Sequence, residues 1–401
     1  MHDQALSDLR VLDFSRRIPG HVCTKLMADF GADVILVEPP SGAPTRTNTP
    51  FLDDLPGIEN SGFFRYLNNN KRGITLDPET RAGARIFMEL VEWADLVIET
   101  FSPSTLPSLG LGYEAMKERN PKVVLTSVTH FGQNGPYSEY HASEAIYYAM
   151  SGLMYVTGLD SREPVKLGPN VIQFHAGIMS ALHSMIALRG TATRGVGEHV
   201  DESIQELQAG SIDRTSAMLL AYQYAGFVTR RDNFDGGGGS VHLCKDGYLN
   251  MFPDAAMIPK GLNMLGLSEL MEEPLFASME ARSMPESHEY FDALLNPWLL
   301  ERPVTEAFAA AQEARILSGP VYDSSLLTDD PNFRARAYWP TVERPPGDIA
   351  RIPGKSFQMY GGPWTMRRPA PTLGQHNVDI YCGILGFSRE ELSILKRTGA
   401  V

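Results

Sequence analysis

The chain opens on a short apolar run, "LRVLDFS" (Leu9–Ser15), whose unbroken hydrophobicity fits a strand buried on both faces. "HVCTKLMADFGADVILVE" continues with a helical stretch, a glycine break at Gly31 and a second apolar run, Val34–Glu38. Strand, helix and strand in that order predict a parallel pair. The pattern then recurs. "RAGARIFMELVEWA" is amphipathic, with Ile86, Leu90 and Val91 on one face, and "DLVIET" follows as a strand. "YEAMKERN" reads as a helix and "KVVLTSVTHFG" as the next strand. Roughly the first 140 residues therefore predict an α/β, Rossmann-like arrangement.

Farther on, "GQNGPYSEYHASEAIYYAMSGLM" passes from turn chemistry into an aromatic-rich helix. "KLGPNVIQFHAGIMSALHSM" (Lys166–Met185) reads as a loop, a strand end and then a helix through Gly177 and Ala181, which stops at the glycines of "TATRGVGEHV". "VDESIQELQAGSIDRTSAMLLAYQYAG" reads as one further helix. The texture changes at "RRDNFDGGGGSVHLCKDGYLNMF", a glycine run followed by a hairpin around "KDG". A boundary near residue 225 and a return near 320 divide the chain into 1–224, a small α+β domain over 225–319, and a C-terminal return over 320–401.

Charge and cysteine content narrow the function classes. With 35 basic and 48 acidic residues the formal charge is -13, which offers no nucleic-acid footprint. Cys23, Cys244 and Cys382 are far apart and form no CxxC pair, so neither a disulfide framework nor a zinc site is expected. "MHDQALSDLRVLDF" lacks a basic segment leading into an apolar one, and no membrane partner and a cytoplasmic location are expected.

Several ordered stretches carry a resemblance. They are "LSDLRVLDFSRRIPGHVCTKLMADFGADVILVEPPSG", "YLNNNKRGITLD", "ADLVIETFSPSTLPSLGLGYEAMKERNPKVVLTSVTHFGQNGPY", "SGLMYVTG", "GPVYDSSLLTDDPNFRARAYW" and "PTLGQHN". Together they resemble the family III CoA-transferases (CaiB/BaiF type), which include formyl-CoA transferase and the related α-methylacyl-CoA racemases. The resemblance implies a large Rossmann-like domain built from both chain ends, a small domain between them, and an interlocked dimer. It also implies a coenzyme A thioester as substrate, small organic acids as partners of the exchange, and no separate cofactor or metal.

In that family an aspartate four residues before a glycine attacks the acyl-CoA thioester. It forms a mixed anhydride, then an aspartyl-CoA thioester, splitting one hard exchange into easier steps. The matching glycine is Gly177, so the nucleophile position is Gln173. An amide oxygen carries no charge and is a poor nucleophile. Lys166–Met185 contains no Asp or Glu, and His175 would give an acyl-imidazole instead of an anhydride. The racemase branch uses a His–Asp pair where this chain has Ser143 and Glu144. Glu144 reads as a capping or solvated residue and His175 as a structural one.

By resemblance, CoA contacts fall at Arg17, Ile18, Pro19, Lys71, Arg72, Thr100, Phe101, Thr129 and His130, with Lys71 and Arg72 as the basic pair approaching the phosphates. Thr100 replaces the family's Asn, Ser108 an Arg, and Pro39 a basic residue, which thins the nucleotide contacts. Gly236, Gly237, Gly238 and Gly239 match a mobile glycine loop over the reactive intermediate, or a domain linker. Tyr147, Tyr148 and Phe174 near the site read either as the lining for a bulky or aromatic acid or as core side chains, with core the favoured reading. Two-subunit members such as succinyl-CoA:(R)-benzylsuccinate CoA-transferase suggest how a chain without the aspartate works. It serves as the non-nucleophilic subunit beside a homologous catalytic one. The alternatives are a homodimeric racemase, isomerase or lyase with Glu144 or His175 as base, and a non-catalytic acyl-CoA-binding protein.

Overall fold

Strands β1 (Arg10–Phe14), β2 (Asp33–Glu38), β3 (Arg72–Thr75), β4 (Leu96–Glu99), β5 (Val124–Thr129) and β6 (His199–Ser203) form one sheet in the order β3-β2-β1-β4-β5-β6. Every pairing in it is parallel. The computed structural model describes residues 4–159, 161–211, 214–230, 240–251, 254–344 and 348–401. Helices α1 (Ile18–Asp29), α2 (Gly62–Asn68), α3 (Arg81–Trp93), α4 (Thr105–Ser108), α5 (Tyr113–Arg119), α6 (Glu144–Met150) and α7 (Val171–Arg194) make the crossovers. Helices α8 (Ile204–Ala209) and α9 (Arg214–Ala225) follow β6.

Both faces of the sheet are covered, which is why its strands read as continuous apolar runs. Leu12, Phe14, Ile35, Val37, Val97 and Leu125 pack against α3, α5 and the C-terminal residues Ile380, Tyr381, Leu392 and Leu395. On the other face Val11, Val34, Leu96, Ile98 and Val124 meet Cys23, Met27 and Ala28 of α1 and Ala181 and Ala187 of α7. The α7 helix is unusual in what it hides. Its buried positions are mostly small, including Ala176, Gly177, Ser180, Ala181, Ser184 and Ala187. Its exposed face carries Ile178, Leu182 and Ile186. A Cβ on Gly177 would lie 2.5 Å from Val22 Cβ and 2.6 Å from the Pro19 carbonyl oxygen, so α1 and α7 approach closely only because that atom is missing.

The chain divides into Met1–Thr229 with Ala337–Val401, and Arg230–Arg336. The second unit has a three-stranded antiparallel sheet, β7 (Ser240–Leu243), β8 (Tyr248–Met251) and β9 (Ser318–Pro320), with β8 central. Helices α10 (Ile258–Leu265), α11 (Met279–Arg282), α12 (Pro285–Leu300) and α13 (Val304–Glu313) follow β8 in the chain. Leu249, Met251, Leu262, Phe291, Leu295 and Ala311 form its core. The return to the first unit comes at 337, later than the expected 320, because β9 pairs with β8 and α14 (Ser324–Asp329) and α15 (Pro331–Ala335) stay in the same unit. Hairpin β10 (Thr341–Arg344) and β11 (Asp348–Arg351) then leads to the final helix, α16 (Arg389–Arg397).

Two sequence expectations change here. No strand precedes α7; the chain enters it through Asn170 in a left-handed conformation. The stretch expected as one helix from Val200 is strand β6, then α8 and α9. Strand β6 was hidden because "HVDES" is a polar edge strand without a clean alternation.

"YLNNNKRGITLD" and "PTLGQHN" meet at the opposite edge. His376 exchanges two bonds with Gly73: Nδ1 accepts from its amide at 3.0 Å, and the His376 amide donates to its carbonyl at 2.9 Å. Asn377 Oδ1 accepts from the Thr75 amide at 3.0 Å, and the Tyr381 hydroxyl donates to the Thr75 carbonyl at 2.6 Å. These bonds take up the free edge of β3. Asn70 turns through a left-handed φ of 68° and donates to Asp29 Oδ1 at 2.8 Å.

Lys71 corrects the expectation of a phosphate contact. It is fully buried, and its ammonium donates to Asp13 Oδ2 (2.9 Å), the His21 carbonyl (3.1 Å) and Asn68 Oδ1 (2.8 Å). An ammonium has three N–H donors, so none is left. Asp13 also takes the Thr24 hydroxyl at 2.6 Å and faces His21 Nδ1 at 3.1 Å. Burial raises the Asp13 pKa, but Lys71, His21 and Thr24 together hold it well below the usual carboxylate range. Arg72, half-buried, forks onto both Asp33 oxygens at 3.0 and 2.6 Å.

Lys71→Met should cost about 3–5 kcal/mol in urea unfolding, because it leaves Asp13 buried without its main counter-charge. A loss below about 1 kcal/mol would show that the pair is not a structural keystone. Gly177→Ala should lower the melting temperature even though alanine favours a helix by about 1 kcal/mol, since the added methyl has no space against Val22. A raised melting temperature would mean that α1 and α7 part without cost.

Candidate active site

The order of the sheet reverses at β1, which has β2 on one side and β4 on the other. In open parallel sheets the crevice outside the carboxyl ends at such a point is where ligands bind. Three loops leave the sheet there: Ser15–Arg17 after β1, Thr100–Phe101 after β4, and His130–Phe131 after β5.

The first two loops are tied together. Thr100 Oγ1 accepts from the backbone amides of Arg16 (2.8 Å) and Arg17 (3.1 Å). The threonine at the family's asparagine position therefore holds the β1 loop. Gly20 is needed for the same turn, since a Cβ there would sit 1.8 Å from Ser15 Oγ. Pro19 fits the first turn of α1, where an amide hydrogen has no intrahelical partner. Ile18 packs with Val22 and Leu67, with Phe63 and Phe174 alongside.

Arg16 was not foreseen as a site residue. Its guanidinium lies 5.1 Å from the Phe14 ring centre and 5.3 Å from that of Phe101, and Nη1 donates to the Val37 carbonyl at 2.9 Å. Burial draws its pKa down to about 10, although Glu38, Asp13 and Asp77 favour the charged form. The signal for it in sequence is the paired arginine directly after a buried strand. Glu99 was also missed. It ends β4, fully enclosed, and accepts from the Phe101 amide at 2.6 Å. Burial pushes its pKa up to about 7, against the Ser127 hydroxyl, the Phe101 amide and the charge of Arg17.

Thr129 braces its own turn: its hydroxyl donates to the Glu202 carbonyl at 3.3 Å and accepts from the Gly132 amide at 2.9 Å. His130 is nearly buried, and its Nδ1 meets the Tyr147 hydroxyl. Burial, Arg17 and His141 lower the His130 pKa to about 4, so the ring is neutral near pH 7. Burial raises the Tyr147 pKa, keeping its hydroxyl protonated. Tyr147 and Tyr148 belong to a core cluster with Val128, Ile172 and Ala176, while Phe174 is half-buried.

Gln173 is in the first turn of α7, half-buried, with Nε2 donating to Asn170 Oδ1 at 3.1 Å. A helix N-terminus stabilises negative charge. Here that charge comes from Glu144 on α6, whose Oε1 accepts from the Ile172 amide at 2.8 Å. Glu144 Oε2 is buried without a hydrogen-bond partner. His175 turns away to Gln208 Oε1 at 3.3 Å. Arg17, Ile18, Pro19, Thr100, Phe101, Thr129 and His130 thus gather at the strand ends, whereas Lys71 and Arg72 are engaged elsewhere. Gly236, Gly237, Gly238 and Gly239 lie outside the described residues. A separate cavity of about 330 Å³, lined by Glu59, Phe64, Asn69, Val342, Ile352 and Pro371 among others, includes none of the gathered residues.

Known proteins share this fold. Residues 6–377 match the family model described as CoA-transferase family III. A formyl-CoA:oxalate CoA-transferase of Streptomyces avermitilis is 30% identical over 99% of this chain and 100% of its own length. The succinyl-CoA:(R)-benzylsuccinate CoA-transferase subunit BbsE of Thauera aromatica is also 30% identical, over 99% of this chain and 98% of its own. The crystal structure of a CaiB/BaiF family protein from Brucella suis superposes with a TM-score of 0.82, at 27% identity, over 95% of this chain and 99% of that one. Sequence match and fold agree, and the chain belongs to CoA-transferase family III.

Proposed function

We propose that this chain is the non-nucleophilic subunit of a heteromeric family III CoA-transferase, which moves CoA between organic acids only with a homologous chain that supplies the aspartate. Gln173 is the observation that carries this reading. It occupies the nucleophile position with an amide bonded to Asn170, and the helix end that would steady a carboxylate is already capped by Glu144. A relative of equal length is named as a subunit of a CoA-transferase.

Two further features support it. The outward face of α7 carries Ile178, Leu182 and Ile186, each more than half exposed, which is costly unless another chain covers it. That helix also carries Gln173 in its first turn, so a chain seated on it lies near the site. An interlocked pair, as in the family, would join two such surfaces. In the partner, the aspartate would form the mixed anhydride and the aspartyl-CoA thioester. In this chain, the loops at the ends of β1, β4 and β5 would bind and shield. Succinyl-CoA is the donor to test first, in the cytoplasm, with neither nucleic acid nor membrane as partner. The racemase reading gains less, because His175 faces Gln208 and Glu144 serves as a cap.

Purification of the tagged chain from its own host should bring down a homologous chain that retains the aspartate. Exchange between succinyl-CoA and organic acids should require both. Gln173→Ala should leave the rate of the complex within about twofold, while replacing the partner's aspartate should lower it by about a thousandfold or more. A homodimer of this chain with full exchange activity would overturn the proposal.

A further inference from the structure

The surroundings of Arg17 point to a ligand other than CoA. Its Nη1 is buried and has no hydrogen-bond partner, a costly state for a cationic group. The residue is not loosely held, since its backbone amide is fixed by Thr100 Oγ1. Three nearby groups feel its charge: Tyr147, Glu99 and His130. None of them satisfies it. Glu99 takes the Phe101 amide, while Tyr147 and His130 hold each other.

The pairing of Tyr147 with His130 also fixes what the imidazole offers. Tyr147 keeps its proton and the ring is neutral near pH 7. If the hydroxyl donates to Nδ1, the ring's own proton sits on Nε2. The loop after β1 then contributes a guanidinium and the loop after β5 an N–H donor. Beside Arg17, Ile18 belongs to a buried apolar cluster with Val22 and Leu67, against which the half-buried rings of Phe63 and Phe174 pack and offer an apolar wall. A cation, a neutral donor and an apolar wall suit a carboxylate on a short hydrocarbon better than a diphosphate, which calls for several cations.

We propose that Arg17, with His130 beside it, binds a carboxylate of the organic acid, so that this chain selects dicarboxylic acids whose hydrocarbon lies on the wall of Phe63 and Phe174. This takes Arg17 and His130 out of the CoA-contact set expected from sequence. The inference rests on the acyl-transfer reading of the site. The acid would be held here without being converted, because residue 173 offers no carboxylate.

Calorimetry on the full chain, in the assembly in which it purifies, tests this with succinate, butyrate and coenzyme A as separate titrants. Succinate should bind at least about tenfold more tightly than butyrate. Arg17→Gln should erase that preference while leaving coenzyme A affinity within about twofold, and His130→Gln should weaken succinate by about threefold to tenfold. Equal binding of succinate and butyrate by the wild-type chain would overturn the proposal. So would an Arg17→Gln variant that loses coenzyme A and keeps succinate, which would assign the cation to a phosphate. If Arg17→Gln fails to fold, the wild-type comparison and His130→Gln decide the matter. Succinate preference without partner-dependent exchange would sink the heteromer reading alone. Partner-dependent exchange without succinate preference would sink this one alone.

Discussion

The large unit is organised around one buried charge. Asp13 is on the central strand, with no exposure, and gathers Lys71, His21 and Thr24 around its carboxylate. Those partners come from the segment entering the edge strand and from the first helix. A carboxylate enclosed among apolar side chains is tolerable only with its counter-charge and hydrogen bonds in place. The ion pair therefore fixes the register between β1, α1 and the "NNNK" turn more stringently than hydrophobic contact would. A second enclosed pair does similar work nearby: Arg46 forks onto Glu38 at 2.7 and 2.8 Å and stacks 3.9 Å from the Phe64 ring centre.

With that floor set, the candidate site is assembled by backbone more than by side chains. Thr100 pins the β1 loop, Thr129 braces the β5 turn, and the missing Cβ of Gly177 lets α7 come down onto α1. The small residues of α7 are spent on that close approach, and its aliphatic ones are left facing outward. Position 173 is at the start of the same helix. Gln173 and the apolar outer face thus belong to one element, and the proposal of a second chain rests on that pairing.

Much of this was legible in the sequence. Strands β1, β2, β4 and β5 were visible because enclosure on both faces makes their residues uniformly apolar, and Ile86, Leu90 and Val91 marked the inward face of α3. The edge strands were not. "RGIT" is too short for a pattern, and "HVDES" is polar, so β3 was not predicted and β6 passed for the start of a helix. Their identity depends on pairing with residues distant in sequence. For the same reason Lys71 was mistaken for a ligand contact. A lysine in an Asn-rich turn looks exposed until the carboxylate it serves, 58 positions earlier, is placed beneath it. Arg17, Thr100 and His130 were singled out only by family resemblance, and the structure adds what each one touches. Glu99 and Arg16 gave only faint signals, because a charge at a strand end reveals nothing of its enclosure.

The closure of β3 by residues near the C-terminus has a consequence for synthesis. His376, Asn377 and Tyr381 cover the edge at Gly73 and Thr75, and the Ala400 carbonyl accepts from the Asp77 amide at 2.9 Å. A ribosome makes these closing residues after the whole of the second unit. Until then the nascent sheet has an open edge, able to pair with any passing strand. The small unit thus has every opportunity to fold first, although its coding sequence comes later than most of the large one. The β3 edge of the large unit closes only once residues 376–400 have been made, so chains truncated before them should be unusually prone to aggregate.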